Sequence, residues 1–212
     1  MSVRLLKRNL IKLYSFSIFM KIYTFLKICI LPLNEFLKHL PREGSFLDFG
    51  TGFGYIANFI ALESINRRVT GIDIEENRIL TAKKTIGERK NISFICGDLR
   101  EINTEKFDSV AMADVLHHIP VSQHKDFIGC LYDKVKDNGI FIIRDTDKKN
   151  SIKYFIMNYF TEVMLYPFSE RCHFYTASQL KTLLEKTGFK IIKTIKSSPW
   201  FIYETVIYVC RK

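Results

Sequence analysis

The sequence predicts an α/β protein whose mostly parallel sheet is covered by helices on both faces. Three observations carry this expectation. From residue 45 onward strand-like and helix-like patterns alternate, a glycine run G-T-G-F-G at 50–54 follows the first strand, and successive strands each end in an aspartate. Such alternation calls for parallel neighbours joined by right-handed crossovers. Ligands of these sheets bind beyond the carboxyl ends of the strands.

Each element has its own justification. SFLDFG (45–50) is a short apolar run closed by glycine and reads as the first strand; YIANFIALESI (55–65) follows as a helix. RRVTGIDI is the second strand, ENRILTAKKTIGER a helix, and NISFICGD the third strand. FDSVAMAD gives a fourth strand, SQHKDFIGCLYDKVK a helix and GIFIIRDTD a fifth strand. TASQLKTLLEKTGF then makes a helix stopped by Gly188, a residue type that ends helices readily. KIIKTIK and FIYETVIYVCRK read as two final strands. At 212 residues the chain suits one such domain with additions.

Ahead of this lies a different segment, 1–44. It holds eight Lys or Arg against Glu35 and Glu43, so much of the net charge of +10 is concentrated there. Lys21 and Lys27 interrupt its apolar run LYSFSIFMKIYTFLKICILPL, so the roughly 18 or more apolar residues of a membrane span are not reached. Phe16, Phe19, Met20, Tyr23, Leu26 and Ile30 step by threes and fours, with Lys12, Thr24 and Lys27 on another side, which predicts an amphipathic helix broken near Pro32. Two roles are open to it: a lid packed on the core, or a basic helix resting on an anionic membrane. Five scattered cysteines without a C-x-x-C pair indicate neither a disulfide framework nor a metal site, and fit a reducing, cytoplasmic setting.

The glycine run suggests that something approaches the main chain closely, a plain structural turn being the alternative, because glycine in ordered backbone costs roughly 0.5–1 kcal/mol against alanine. A dinucleotide fingerprint G-x-G-x-x-G would place its third glycine where Tyr55 stands, and no G-K-[ST] follows as in a P-loop. Asp73 ends the second strand, where a carboxylate can accept both hydroxyls of a ribose. Asp48, Asp98 and Asp114 end three other strands on the same edge of the sheet.

With FLDFGTGFG, GIDI, CGDL and ADVLHHI in this order, the chain resembles the class I S-adenosylmethionine-dependent methyltransferases of the broad small-molecule type over 45–212. The resemblance implies a Rossmann-like fold: a seven-stranded sheet of order 3-2-1-4-5-7-6 with its last strand antiparallel, plus N-terminal helices. It implies S-adenosylmethionine as cofactor, with Asp48, Gly50, Thr51, Gly52 and Gly54 toward the methionine end. Thr51 stands where the family often has Cys. Asp73 would hold the ribose hydroxyls, Ile74 would lie against the adenine, Asp98 would take the adenine amine with Leu99 beside the ring, and the backbone at Ala113 and Asp114 would line the methionine portion.

Methyl transfer asks the protein mainly for alignment and exclusion of water. A base is needed only when the acceptor must lose a proton, and His117, His118 and His173 are the candidates. The aromatic insertion at about 150–175, with Arg144, Asp145 and Arg171 available to a polar head group, is expected to select a small or lipid-like acceptor: a quinone precursor, an acyl chain or an anionic natural product. The strand-four motif Asp114-Val115-Leu116-His117-His118 lacks the Pro-Pro-aromatic of base-amine methyltransferases, which disfavours nucleic acid despite the positive charge. RNA methylation and a non-catalytic cofactor-binding scaffold remain the alternatives.

Overall fold

A computed structural model describes residues 2–102, 104–148, 173–197 and 204–212. The expected insertion lies almost wholly outside them, as does Arg171. Among the described residues seven strands form one sheet: β1 (Gly44–Phe49), β2 (Arg67–Asp73), β3 (Ile92–Cys96), β4 (Phe107–Ala113), β5 (Val135–Thr146), β6 (Lys190–Ser197) and β7 (Thr205–Arg211). Their order is β3-β2-β1-β4-β5-β7-β6. The first five run parallel, and β7 is antiparallel to both β5 and β6.

Helices α1 (Val3–Leu13), α2 (Ile18–Ile30), α3 (Leu33–His39), α4 (Tyr55–Glu63) and α5 (Glu76–Lys83) contribute to one apolar layer; α6 (His124–Lys134) and α7 (Ala177–Thr187) contribute to the other. Alternation along β1 produces the division, with Phe46 buried on the α4 side and Leu47 on the α6 side. Thr176 and Gln179 close a capping box at the start of α7, and Gly188, at φ 107, stops it. The helix expected over ENRILTAKKTIGER (76–89) stops earlier than the pattern implies: the Thr85 hydroxyl and N–H both donate to the Ala82 carbonyl, which ends α5 at Lys83.

Pro32 does separate two helices, but the buried face of α2 differs from the expected one. Met20, Thr24 and Ile28 face the core, whereas Phe19 and Leu26 face solvent. Apolar residues surround this helix on nearly every side, so spacing alone could not select a face. Thr24 is tolerated inside because its hydroxyl donates to the Met20 carbonyl at 2.7 Å. Among the described residues no helix is long and apolar enough to cross a membrane.

Candidate functional site

The carboxyl ends of β1, β2 and β4 meet around the turn 50–54. Asp48 lies beneath that turn, almost fully buried; its carboxylate accepts the Thr51 hydroxyl at 2.6 Å and the Ala57 N–H at 3.0 Å. It thereby ties β1, the turn and the first turn of α4 together. Burial pushes its pKa up to about 7, against the pull of these two hydrogen bonds.

Gly52 and Gly54 adopt φ of 55° and 84°, in the left-handed region that side chains disfavour. Their surroundings differ. A Cβ on Gly54 would come within 2.7 Å of the Phe94 ring, while one on Gly52 would meet nothing within 4 Å. Gly54 therefore serves packing, and Gly52 leaves a clear approach to the main chain. Gly50 lies against Val115 on the turn's far side.

Asp73 holds the turn from β2. One carboxylate oxygen accepts the Gly52 N–H at 2.7 Å and the other accepts the Glu75 N–H at 3.0 Å. Each oxygen retains a second lone pair for a further donor. Next to it the Ile74 side chain is 67 % exposed, whereas Leu99 is buried in the core. Asp98 is bound by the Arg100 guanidinium at 3.0 Å to both oxygens from Nε, which holds its carboxyl below the usual range.

Beyond β4, Asp114 takes a left-handed φ of 57°. Its N–H donates to the Arg144 carbonyl at 3.0 Å, and its carboxylate pairs with the buried Arg144 guanidinium. His117 sits a turn further on. Its Nδ1 is 2.6 Å from Asp145 Oδ1, and its ring stacks on Phe174 at 4.7 Å. Burial pulls the His117 pKa down, but the charge and hydrogen bond of Asp145 outweigh it and leave the imidazole above the ordinary histidine value.

The other two histidines differ. Burial, then the neighbouring His117, lowers His118 to about 4. His173 contributes its N–H to the His117 carbonyl at 2.9 Å, with its own side chain exposed. The structure thus brings His117, His118 and the His173 backbone together, and His117 carries the Asp145 carboxylate at hydrogen-bond distance.

Two contributors escaped the sequence reading in their roles. Asp145 was expected at a head group, not behind a histidine; the parallel register Ala113↔Arg144, which sets the residues after β4 beside the end of β5, was the available signal. Tyr14, fully buried at the end of α1, donates its hydroxyl to the Phe53 carbonyl within the turn at 2.6 Å and accepts from Asn58 at 3.1 Å. Asn58 in turn donates to Thr85 and accepts from Arg89, so α1, α4 and the end of α5 share one polar network beneath the turn.

The chain is similar to several known proteins. The family model described as a methyltransferase domain matches residues 21–194. Among curated proteins, the sphingolipid C9-methyltransferase of Komagataella phaffii is 25 % identical over 166 residues, 71 % of this chain and 33 % of that protein. The malonyl-[acyl-carrier protein] O-methyltransferase of Priestia megaterium is 31 % identical over 98 residues, covering 46 % of this chain and 35 % of the relative. The chain therefore spans about a third of the curated relatives it matches. Among solved structures, magnesium protoporphyrin IX methyltransferase from Synechocystis PCC 6803 with bound SAH superposes with a TM-score of 0.68 at 19 % identity, over 85 % of this chain and 80 % of that one.

Proposed function

The chain belongs to the methyltransferase-domain family, and from that premise we propose that it transfers a methyl group from S-adenosylmethionine to a small, lipid-like acceptor. The observation that carries the cofactor reading is the pairing of Gly52, whose Cβ direction is open, with the Asp73 carboxylate that holds its N–H. Residues on this edge fit the group. The turn 50–54 would take its amino-acid end, Asp73 its ribose hydroxyls and the exposed Ile74 side chain its adenine. The Ala113–Asp114 backbone would line the remainder, with Asp98 at the adenine edge and Leu99 packed in the core behind it.

Bound S-adenosylmethionine supplies a methyl group already activated on a sulfonium. The protein's own task is to align the acceptor and exclude water. Where the acceptor gives up a proton, His117 receives it: Asp145 fixes the Nδ1 proton and orients the ring, leaving Nε2 as the basic atom. His118, lowered to about 4, is a much weaker base. Support for a lipid-like acceptor comes from the sphingolipid-acting relative and from the apolar N-terminal helices beside the turn. A cytoplasmic protein in peripheral contact with a membrane through 1–44 completes this reading.

Calorimetric titration with S-adenosylhomocysteine tests the cofactor step. Wild-type protein is expected to bind, and Asp73→Ala to lose about 1.5–3 kcal/mol of affinity, the worth of a charge-assisted hydrogen bond. Binding of NADH in its place sinks the proposal. Transfer of labelled methyl to extracted lipids, but not to RNA, then separates an enzyme of this class from a binding module and from a nucleic-acid enzyme.

A further inference from the structure

Helix α2 keeps one face for the core and leaves the other bare. Ile18, Phe19, Ile22, Phe25 and Leu26 are between 53 and 73 % exposed. Single exposed apolar residues are ordinary, but five on successive turns of one helix form a continuous stripe. Residues 2–34 also hold Arg4, Lys7, Arg8, Lys12, Lys21 and Lys27 without one acid, Glu35 being the first. Lys21 is exposed within the stripe itself, and Arg4, Arg8 and Lys12 are exposed on α1.

Charge decides the occupant. A second copy of the chain would set this acid-free cluster against its own like charges, whereas anionic lipid headgroups meet it with the opposite sign. An amphipathic helix of this composition buries its apolar side at the boundary between headgroups and acyl chains and leaves its cations among the phosphates.

The opposite side of the same helix packs beside the turn 50–54. On the helix's inner side the Tyr23 ring meets Phe53 edge-on at 5.9 Å and Tyr55 at 6.2 Å. We propose that the outer face of α2, resting on the peripheral contact proposed above, is a docking surface for an anionic membrane, and that docking sets the turn 50–54 next to the lipid headgroups. A lipid-like acceptor then reaches the site without crossing bulk water.

Vesicle flotation of the full chain tests this, with phosphatidylcholine vesicles prepared with and without phosphatidylglycerol. Wild-type protein is expected to float with the phosphatidylglycerol vesicles alone and to be released by salt. Lys12→Gln/Lys21→Gln should weaken apparent affinity roughly 30-fold, equivalent to about 1 kcal/mol for each lysine. Ile22→Ser/Phe25→Ser should leave the protein in solution while S-adenosylhomocysteine titration remains as in wild type, which shows that fold and cofactor site are intact whatever the vesicles do. Failure of wild type to float, or flotation of the serine variant at the wild-type level, overturns the inference. A dimer in light scattering that the serine variant dissolves overturns it too, because the face would then belong to a second copy.

Discussion

Gly52 and Gly54 are two residues apart in one turn, share a left-handed backbone, and answer to different demands, so replacing each by alanine separates binding from folding. An L-residue in this region costs about 1–2 kcal/mol. At Gly52 nothing stands within 4 Å of the added methyl, so Gly52→Ala should lower unfolding free energy by that backbone cost alone. At Gly54 the methyl would be 2.7 Å from the Phe94 ring and 3.2 Å from Asn58 Nδ2. Over-packing adds about 1–3 kcal/mol, giving roughly 2–5 kcal/mol in all. Binding should rank the pair in the opposite sense. With the methyl of Gly52→Ala projecting into the cofactor's approach, affinity for S-adenosylhomocysteine should fall roughly 5- to 150-fold, the equivalent of about 1–3 kcal/mol of steric cost. Urea denaturation and calorimetry on both variants supply the numbers. A folded Gly52→Ala protein that binds as well as wild type would refute the assignment of the open side of the turn to the cofactor.

Three other perturbations follow from the same edge of the sheet. Asp145→Asn removes the charge that keeps His117 above the ordinary histidine value; the basic form emerges as pH rises through the raised pKa in wild type and through a lower one in the variant, so the acid limb of kcat/KM should move to lower pH, and an unmoved limb would exclude His117 as the base. Asp48, with a folded pKa raised to about 7 from 3.8, favours its protonated form in the folded state, so stability should fall as pH rises between these values. Asp48→Asn should flatten that slope, read from denaturation midpoints across the interval. Tyr14→Phe leaves Asn58 bonded to Thr85 but takes the donor from the Phe53 carbonyl, at about 1–3 kcal/mol of stability; a neutral result in urea would mean that water replaces the hydroxyl.

The sheet was legible because its signals are local. β1 to β5 are short apolar runs punctuated by glycine or aspartate, and parallel pairing then follows from the intervening helices. Strand ends also marked Asp73 and Asp114, since an acid closing an apolar run has few other reasons to be there. What the sequence hid depended on contacts across the fold. Thr24 reads as the polar side of α2 until its hydroxyl is seen to be satisfied by the Met20 carbonyl, after which burial costs little. Asp145 and His117 are 28 residues apart and meet only through the register of β4 with β5. Tyr14 reaches the turn from 39 residues away, a pairing that no helical period encodes. Leu99, carried by a motif position, proves to have its side chain among core residues, where periodicity would also have put it.

The placement of β7 between β5 and β6 bears on how the molecule is made. As the chain leaves the ribosome, β1 to β4, with the glycine turn and Asp73, are all available while β7 is still being synthesised. β6 precedes β7 in the chain, yet among the described strands it pairs with β7 alone, so it must wait for it. Until the last strand arrives, the nascent protein presents the unpaired edge of β5, a template for another chain's strand. Early cofactor binding could not close that edge. Any event that keeps β7 off the sheet therefore leaves β5 with an open edge.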